Sequence, residues 1–150
     1  MAVNQQFLNI TQYLPHRKPM LLVDMITEIS ENHVETIFYI AEDCIFLKNN
    51  VFQESGIIEN MAQTCSAIVG QTYFEQDNSL QKTKVLGFIS GIKKVELFSL
   101  PNKGESLTTK SELVSRFEGE DYNLCTMNVT TFCNNNVIAK ANINLFLQKM

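Results

Sequence analysis

Residues 54–70 read ESGIIENMAQTCSAIVG, and the fold turns on this stretch. Ile57, Ile58, Met61, Cys65, Ile68 and Val69 recur at three- and four-residue spacing, the period of an α-helix. Ala62, Ser66, Ala67 and Gly70 fill the other side. The spacing therefore predicts a helix over 55–74 that is apolar or small nearly all round, as a helix enclosed by other elements must be. Within that span Glu59 is the only acid or base.

On the N-terminal side, YLPHRKP (13–19) is rich in breakers, with two prolines that each restrict the preceding residue. MLLVDMITEIS (20–30) and HVETIFYIAED (33–43) read as two strands of a hairpin around a turn at Ser30–Asn32. On the C-terminal side, the polar run EQDNS (75–79) ends the helix. Four segments of strand character follow, over 84–99, 105–115, 122–133 and 137–148. LPNKG (100–104), RFEGED (116–121) and the Asn run 134–136 separate them; Asn tolerates left-handed backbone, so that run suits a hairpin turn. The order is a short helix, two strands, one long helix and three or four long strands. That is α+β, with an antiparallel sheet packed around a single central helix.

The 150 residues are most simply one domain, 1–150, with no internal repeat or linker. A net charge of −4 argues against a nucleic-acid surface, which needs clustered cations. No stretch reaches membrane-span length and no secretory signal is visible at the N-terminus, so a cytoplasmic protein without membrane insertion is expected. Cys44, Cys65, Cys125 and Cys133 show no paired spacing and read as free thiols of a reducing compartment. No metal-ligand spacing, phosphate loop or dinucleotide motif is present, and no cofactor or metal is expected.

Burying an ionised carboxylate without partners is very unfavourable. Proteins pair it, hydrogen-bond it or hold it neutral, and a neutral carboxylic acid can act as a general acid. Two readings of Glu59 stay open. In one it bonds a neighbouring donor or reaches water near the helix start; in the other it lines an enclosed pocket and acts on a ligand.

YLPHRKPMLLVDMI (13–26) resembles the N-terminal signature of FabZ-type (3R)-hydroxyacyl-acyl-carrier-protein dehydratases, typically LPHRYPFLLVDRV. FQESGIIENMAQTCSA (52–67) resembles their central-helix signature FPGVLIIEAMAQ, and LGFISGIKKVELFSLPNKGESL (86–107) their later segment LAGIDKARFKRPVVPGDQL. The resemblance implies the hot-dog fold, a long central helix wrapped by a strongly curved antiparallel sheet. It implies a homodimer as the expected assembly, with acyl chains in tunnels at the interface, and an acyl-carrier protein or coenzyme A thioester as partner.

The family's chemistry takes a His as base and a central-helix Glu as acid. Glu59 stands at the Glu position and is the implied catalytic residue. The family His lies fourteen residues earlier, in GHFPG; Ile45 stands there, and Gln53-Glu54 replaces the family's Pro-Gly at the helix mouth. The resemblance implies a substrate-facing set of His16, Ile45, Gln53, Glu54, Ser55, Gly56 and Gln63. His16 belongs to the LPHR run, whose family counterpart lies in the N-terminal loop and is not the base, so no imidazole is expected opposite Glu59. His33 is expected exposed in a hairpin turn. Cys44 adjoins the lost His position without a nearby cation to activate it. Glu54 reads as a solvated acid at the helix N-terminus.

Several functions follow. The chain binds acyl thioesters with dehydration weakened, because loss of a base costs about 10²–10⁴-fold. Alternatively it supplies Glu59 to a heterodimer with a His-bearing paralogue, or it hydrolyses thioesters through a central-helix carboxylate, or it scaffolds a lipid or polyketide synthesis complex. Arg17, Lys18, Lys82, Lys84, Lys93 and Lys94 form the basic surface an acidic carrier protein would meet, or are lysines that block edge-strand aggregation.

Overall fold

The computed structural model describes residues 8–75 and 85–149. Nine strands, one α-helix and one short 3₁₀ turn (Ile10–Gln12) are present among them. The strands are β1 (Leu8–Asn9), β2 (Met25–Ile29), β3 (His33–Tyr39), β4 (Leu47–Lys48), β5 (Val51–Phe52), β6 (Val85–Leu97), β7 (Ser106–Glu118), β8 (Tyr122–Cys133) and β9 (Asn136–Lys149). The helix, α1, runs Glu54–Glu75. Seven strands form one sheet in the order β1-β2-β3-β7-β8-β9-β6, and every pairing in it is antiparallel. α1 packs on β3, β6, β7, β8 and β9 of that sheet. This is the expected α+β hot-dog architecture.

Strand alternation sets the inner face. Cys125, Met127, Val129, Thr131 and Cys133 of β8 and Ala139, Ala141, Ile143, Leu145 and Leu147 of β9 are buried, and their even-numbered neighbours are more exposed, save Ile138, which is also buried. Against them lie Ile57, Met61, Cys65 and Ile68 of α1, none more than 1% exposed. The enclosed helix carries Asn60 and Thr64, both buried, and the sheet answers with small polar groups. Asn60 accepts from Thr109 Oγ1 at 2.7 Å, Thr109 and Thr131 hydroxyls meet at 3.0 Å, Thr36 and Thr64 at 2.7 Å, and Cys65 Sγ and Ser111 Oγ at 3.0 Å. Pairing removes the desolvation cost each would otherwise impose.

The first strand is shorter than MLLVDMITEIS predicts. Residues 20–24 lie outside β2 because helix side chains take the place of a neighbouring strand at Leu22. Its N–H donates to Gln63 Oε1 at 2.8 Å and its C=O accepts from Asn60 Nδ2 at 2.7 Å. His33 is likewise not in a turn; it opens β3, half-buried, with Nε2 3.7 Å from Glu28 Oε2 across the hairpin. Residues 116–118 belong to β7, leaving a tighter turn before β8. Asn134 and Asn135 adopt left-handed backbone (φ 51° and 63°), as the Asn run predicts. A second Asn pair, Asn49 and Asn50 (φ 52° and 64°), turns the β4–β5 hairpin by the same chemistry.

Gly56 sits where α1 crosses Phe46 and Phe52. A Cβ there would stand 2.6 Å from the Phe52 ring and 2.8 Å from Phe46 Cβ. Phe52 is fully buried and packs at 6.0 Å on Phe38, so it has nowhere to go. Gly56→Ala is expected to destabilise the fold by about 1–3 kcal/mol, read as a lower denaturant midpoint with an unchanged slope.

Candidate active site

Glu59, Ala62, Gln63 and Ser66 recur at three- and four-residue spacing, which places them on one stripe of α1. That stripe faces the edge strand β6. Together with His16, Gly87, Phe88, Ile89 and Leu145 it lines a half-open cavity of about 250 Å³. Glu59 is thus neither fully enclosed nor solvated; its side chain is 28% exposed at the cavity mouth.

Gln63 Nε2 donates to Glu59 Oε1 at 3.0 Å and to the Met20 carbonyl at 2.8 Å, while Gln63 Oε1 takes the Leu22 N–H. With both amide hydrogens engaged inside the chain, this side chain braces the carboxyl and ties it to residues 20–22. The loop before them is held by Arg17, whose Nη1 donates to the Leu14 and His16 carbonyls at 2.9 and 2.8 Å. Asn60 does not stand out in the sequence as part of a site, and Arg17 stands out only as part of a basic docking surface. The signal for Asn60 was its amide in an enclosed helix, one residue from Glu59.

The arrangement corrects the expectation that no imidazole faces Glu59. The loop carries His16 to the same cavity, with Nε2 3.9 Å from Glu59 Oε1. Its Nδ1 is buried and has no hydrogen-bond partner among the described residues.

The rest of the substrate-facing set lies elsewhere in this chain. Ile45 is 50% exposed on the loop between β3 and β4, outside the cavity of Glu59. The Gln53 carbonyl accepts from Gly56 N at 3.0 Å and Ile57 N at 3.2 Å, opening the helix, and its side chain donates to the Val51 carbonyl at 2.8 Å. Glu54 and Ser55 are exposed in the first turn, and Gly56 is buried against Phe46 and Phe52. The structure therefore brings His16, Glu59 and Gln63 together and sets Ile45, Gln53, Glu54, Ser55 and Gly56 apart at the helix mouth.

No group of three or more His, Cys, Asp or Glu among the described residues is arranged to hold a metal ion, and no described helix is long and apolar enough to cross a membrane. All four cysteines are free. Burial holds the Cys44 thiol above its ordinary range, which leaves it a poor nucleophile. Cys65 is pushed up to about 12 by burial, and Cys133 to about 12 by burial and the Glu105 carboxylate 3.0 Å away. In native chain near neutral pH, Cys65 and Cys133 are expected to resist iodoacetamide and to label fully on denaturation, as mass spectrometry would read. Of the expected basic surface, Lys93 is exposed and Lys94 pairs with Glu96 at 3.0 Å; Lys82 and Lys84 lie outside the described residues.

A family model described as ApeP-like, ApeP dehydratase, matches residues 8–149. The 3-hydroxyacyl-acyl-carrier-protein dehydratase FabZ of Acinetobacter baumannii is 31% identical over 126 residues, covering 83% of this chain and 86% of that one. Among solved structures, the dehydratase heterocomplex ApeI:P from Xenorhabdus doucetiae matches with a TM-score of 0.79 at 23% identity, over 94% of this chain and 91% of that one. A hypothetical thioesterase with coenzyme A from Streptococcus pneumoniae matches with a TM-score of 0.58 at 13% identity, over 83% and 85%.

Proposed function

This chain belongs to the ApeP-like dehydratase family, and on that premise we propose that it is the acid-bearing subunit of a (3R)-hydroxyacyl-thioester dehydratase, completed by a second subunit that supplies a histidine base. The observation that carries the proposal is Glu59: a braced carboxyl at the mouth of a cavity between the central helix and the edge strand β6.

The chemistry asked of it is limited. A base takes the proton α to the thioester carbonyl, the Cβ–oxygen bond breaks with its electron pair going to oxygen, and Glu59 delivers a proton so that the oxygen leaves as water. A double bond conjugated to the thioester remains. Gln63 holds the carboxyl in place through a hydrogen bond to Oε1, the oxygen that also faces His16.

Two further observations favour completion in trans. Ile45, at the position where the family resemblance places the base, is exposed and outside its own chain's Glu59 cavity, which leaves a group at 45 free to face another chain. The edge strand β6 pairs only with β9 among the described residues and carries the exposed apolar side chains Phe88, Ile92, Val95 and Leu97. A second subunit docking along that edge would cover the cavity. A chain of similar fold was solved within the dehydratase heterocomplex ApeI:P. The acyl thioester is expected on an acyl-carrier protein or coenzyme A, in the cytoplasm.

The test is co-expression with a His-bearing dehydratase subunit from the same cell. Native mass spectrometry is expected to show a mixed complex, and only the mixture is expected to hydrate crotonyl-coenzyme A. Failure to form that complex, or equal activity of the chain alone, would overturn completion in trans. Release of free coenzyme A by the chain alone, lost in Glu59→Gln, would instead assign the carboxylate to thioester hydrolysis.

A further inference from the structure

His16 is the part of the cavity that the proposed dehydration does not use. The Arg17 bonds to Leu14 and His16 carbonyls, with the Met20 and Leu22 bonds to Gln63, hold its loop against the helix. Its position at the carboxyl is therefore built into the fold. The two ring nitrogens have unlike surroundings: Nδ1 is buried with no partner among the described residues, and Nε2 faces Glu59. A hydrogen on Nδ1 would be a buried donor with nothing to accept it, which native structures avoid more strictly than an unfilled acceptor. The ring hydrogen accordingly sits on Nε2, and the lone pair that a base would need is turned inward.

The distance between Nε2 and Glu59 Oε1, 3.9 Å, is too long for a direct hydrogen bond. It is short enough for one intervening oxygen to lie within hydrogen-bond reach, about 2.8 Å, of both groups. We propose that His16 is a second donor to the β-oxygen of a 3-hydroxyacyl substrate, so that His16 and Glu59 converge on that one atom.

This rests on the dehydratase reading of the cavity and deepens it. As the Cβ–oxygen bond breaks, negative charge collects on the oxygen. Glu59 transfers its proton there, whereas His16 keeps its own and donates a hydrogen bond to the same oxygen. The α-proton goes to the base of the second subunit. His16 touches the substrate yet does not replace the missing base.

Calorimetric titration of the mixed complex, its second subunit's base replaced so that nothing turns over, with (3R)-3-hydroxybutyryl-coenzyme A and with butyryl-coenzyme A isolates this contact, because the two differ only in the β-oxygen. The hydroxylated thioester is expected to bind about a hundredfold more tightly, about tenfold for each of two well-placed hydrogen bonds. His16→Phe, which keeps the ring and drops the donor, should reduce that ratio to about ten, the share of Glu59. His16→Gln, which restores an N–H donor, should keep most of the full ratio. Equal binding of the two thioesters by the complex with His16 in place would overturn both contacts, and a ratio unchanged in His16→Phe would overturn the role of His16 alone. The same holds if His16→Gln behaves like His16→Phe. No binding of either thioester would overturn the dehydratase reading, and His16 with it.

Discussion

Glu59→Gln, assembled with a His-bearing dehydratase subunit, lowers enoyl-thioester hydration by about 10²–10⁴-fold, the usual worth of a positioned acid or base. The substitution is nearly isosteric. The new side-chain carbonyl still accepts from Gln63 Nε2, so the brace on residues 20–22 survives. The side chain is 28% exposed, and a change of this kind outside the core moves stability by no more than about 0.5 kcal/mol. What disappears is the transferable proton. Native mass spectrometry should show the mixed complex unchanged and steady-state assays a loss in kcat greater than any change in KM. Full activity in the variant would place the acid elsewhere and remove the function assigned to this cavity.

The long helix and the strands after it were legible because their periods are unambiguous: Ile57, Met61, Cys65 and Ile68 on one, and the alternation Cys125, Met127, Val129 on the other. The course of residues 20–24 was not, because it depends on Asn60 and Gln63, side chains about 40 positions away that occupy the Leu22 backbone. Pattern reading assumes that backbone groups find backbone partners, and at Leu22 they do not. Glu59 was legible as an anomaly, a lone acid where apolar residues dominate. His16 was missed as its neighbour because a loop has no period, and nothing local to LPHR says that Arg17 and Gln63 will hold it against the helix. The short β4–β5 hairpin had a signal, Asn49-Asn50, with the same left-handed preference as Asn134-Asn135.

Ile45→His is expected to give the chain hydratase activity on its own. Position 45 lies fourteen residues before Glu59, where the family resemblance places the base, and the isoleucine is half exposed on a turn closed by the Leu47 N–H to the Cys44 carbonyl at 3.4 Å. An exposed site of this kind tolerates substitution at little cost in stability. In a homodimer each loop would carry the new imidazole to the partner's Glu59, restoring the base that the unmodified pair lacks, for a gain of about 10²-fold or more over the unmodified chain. The double variant Ile45→His, Glu59→Gln should fall back to background, since an imidazole alone cannot protonate the leaving oxygen and take the α-proton in the same step. Two outcomes separate the causes of failure. A gain that survives Glu59→Gln would mean that the imidazole acts without the carboxyl. No gain in a variant shown to be dimeric would mean that Gln53-Glu54 at the helix mouth, in place of the family's Pro-Gly, misaligns the thioester. Replacing that pair with Pro-Gly in the Ile45→His background should then recover the rate, because Gly lets the backbone approach the carbonyl where a side chain does not.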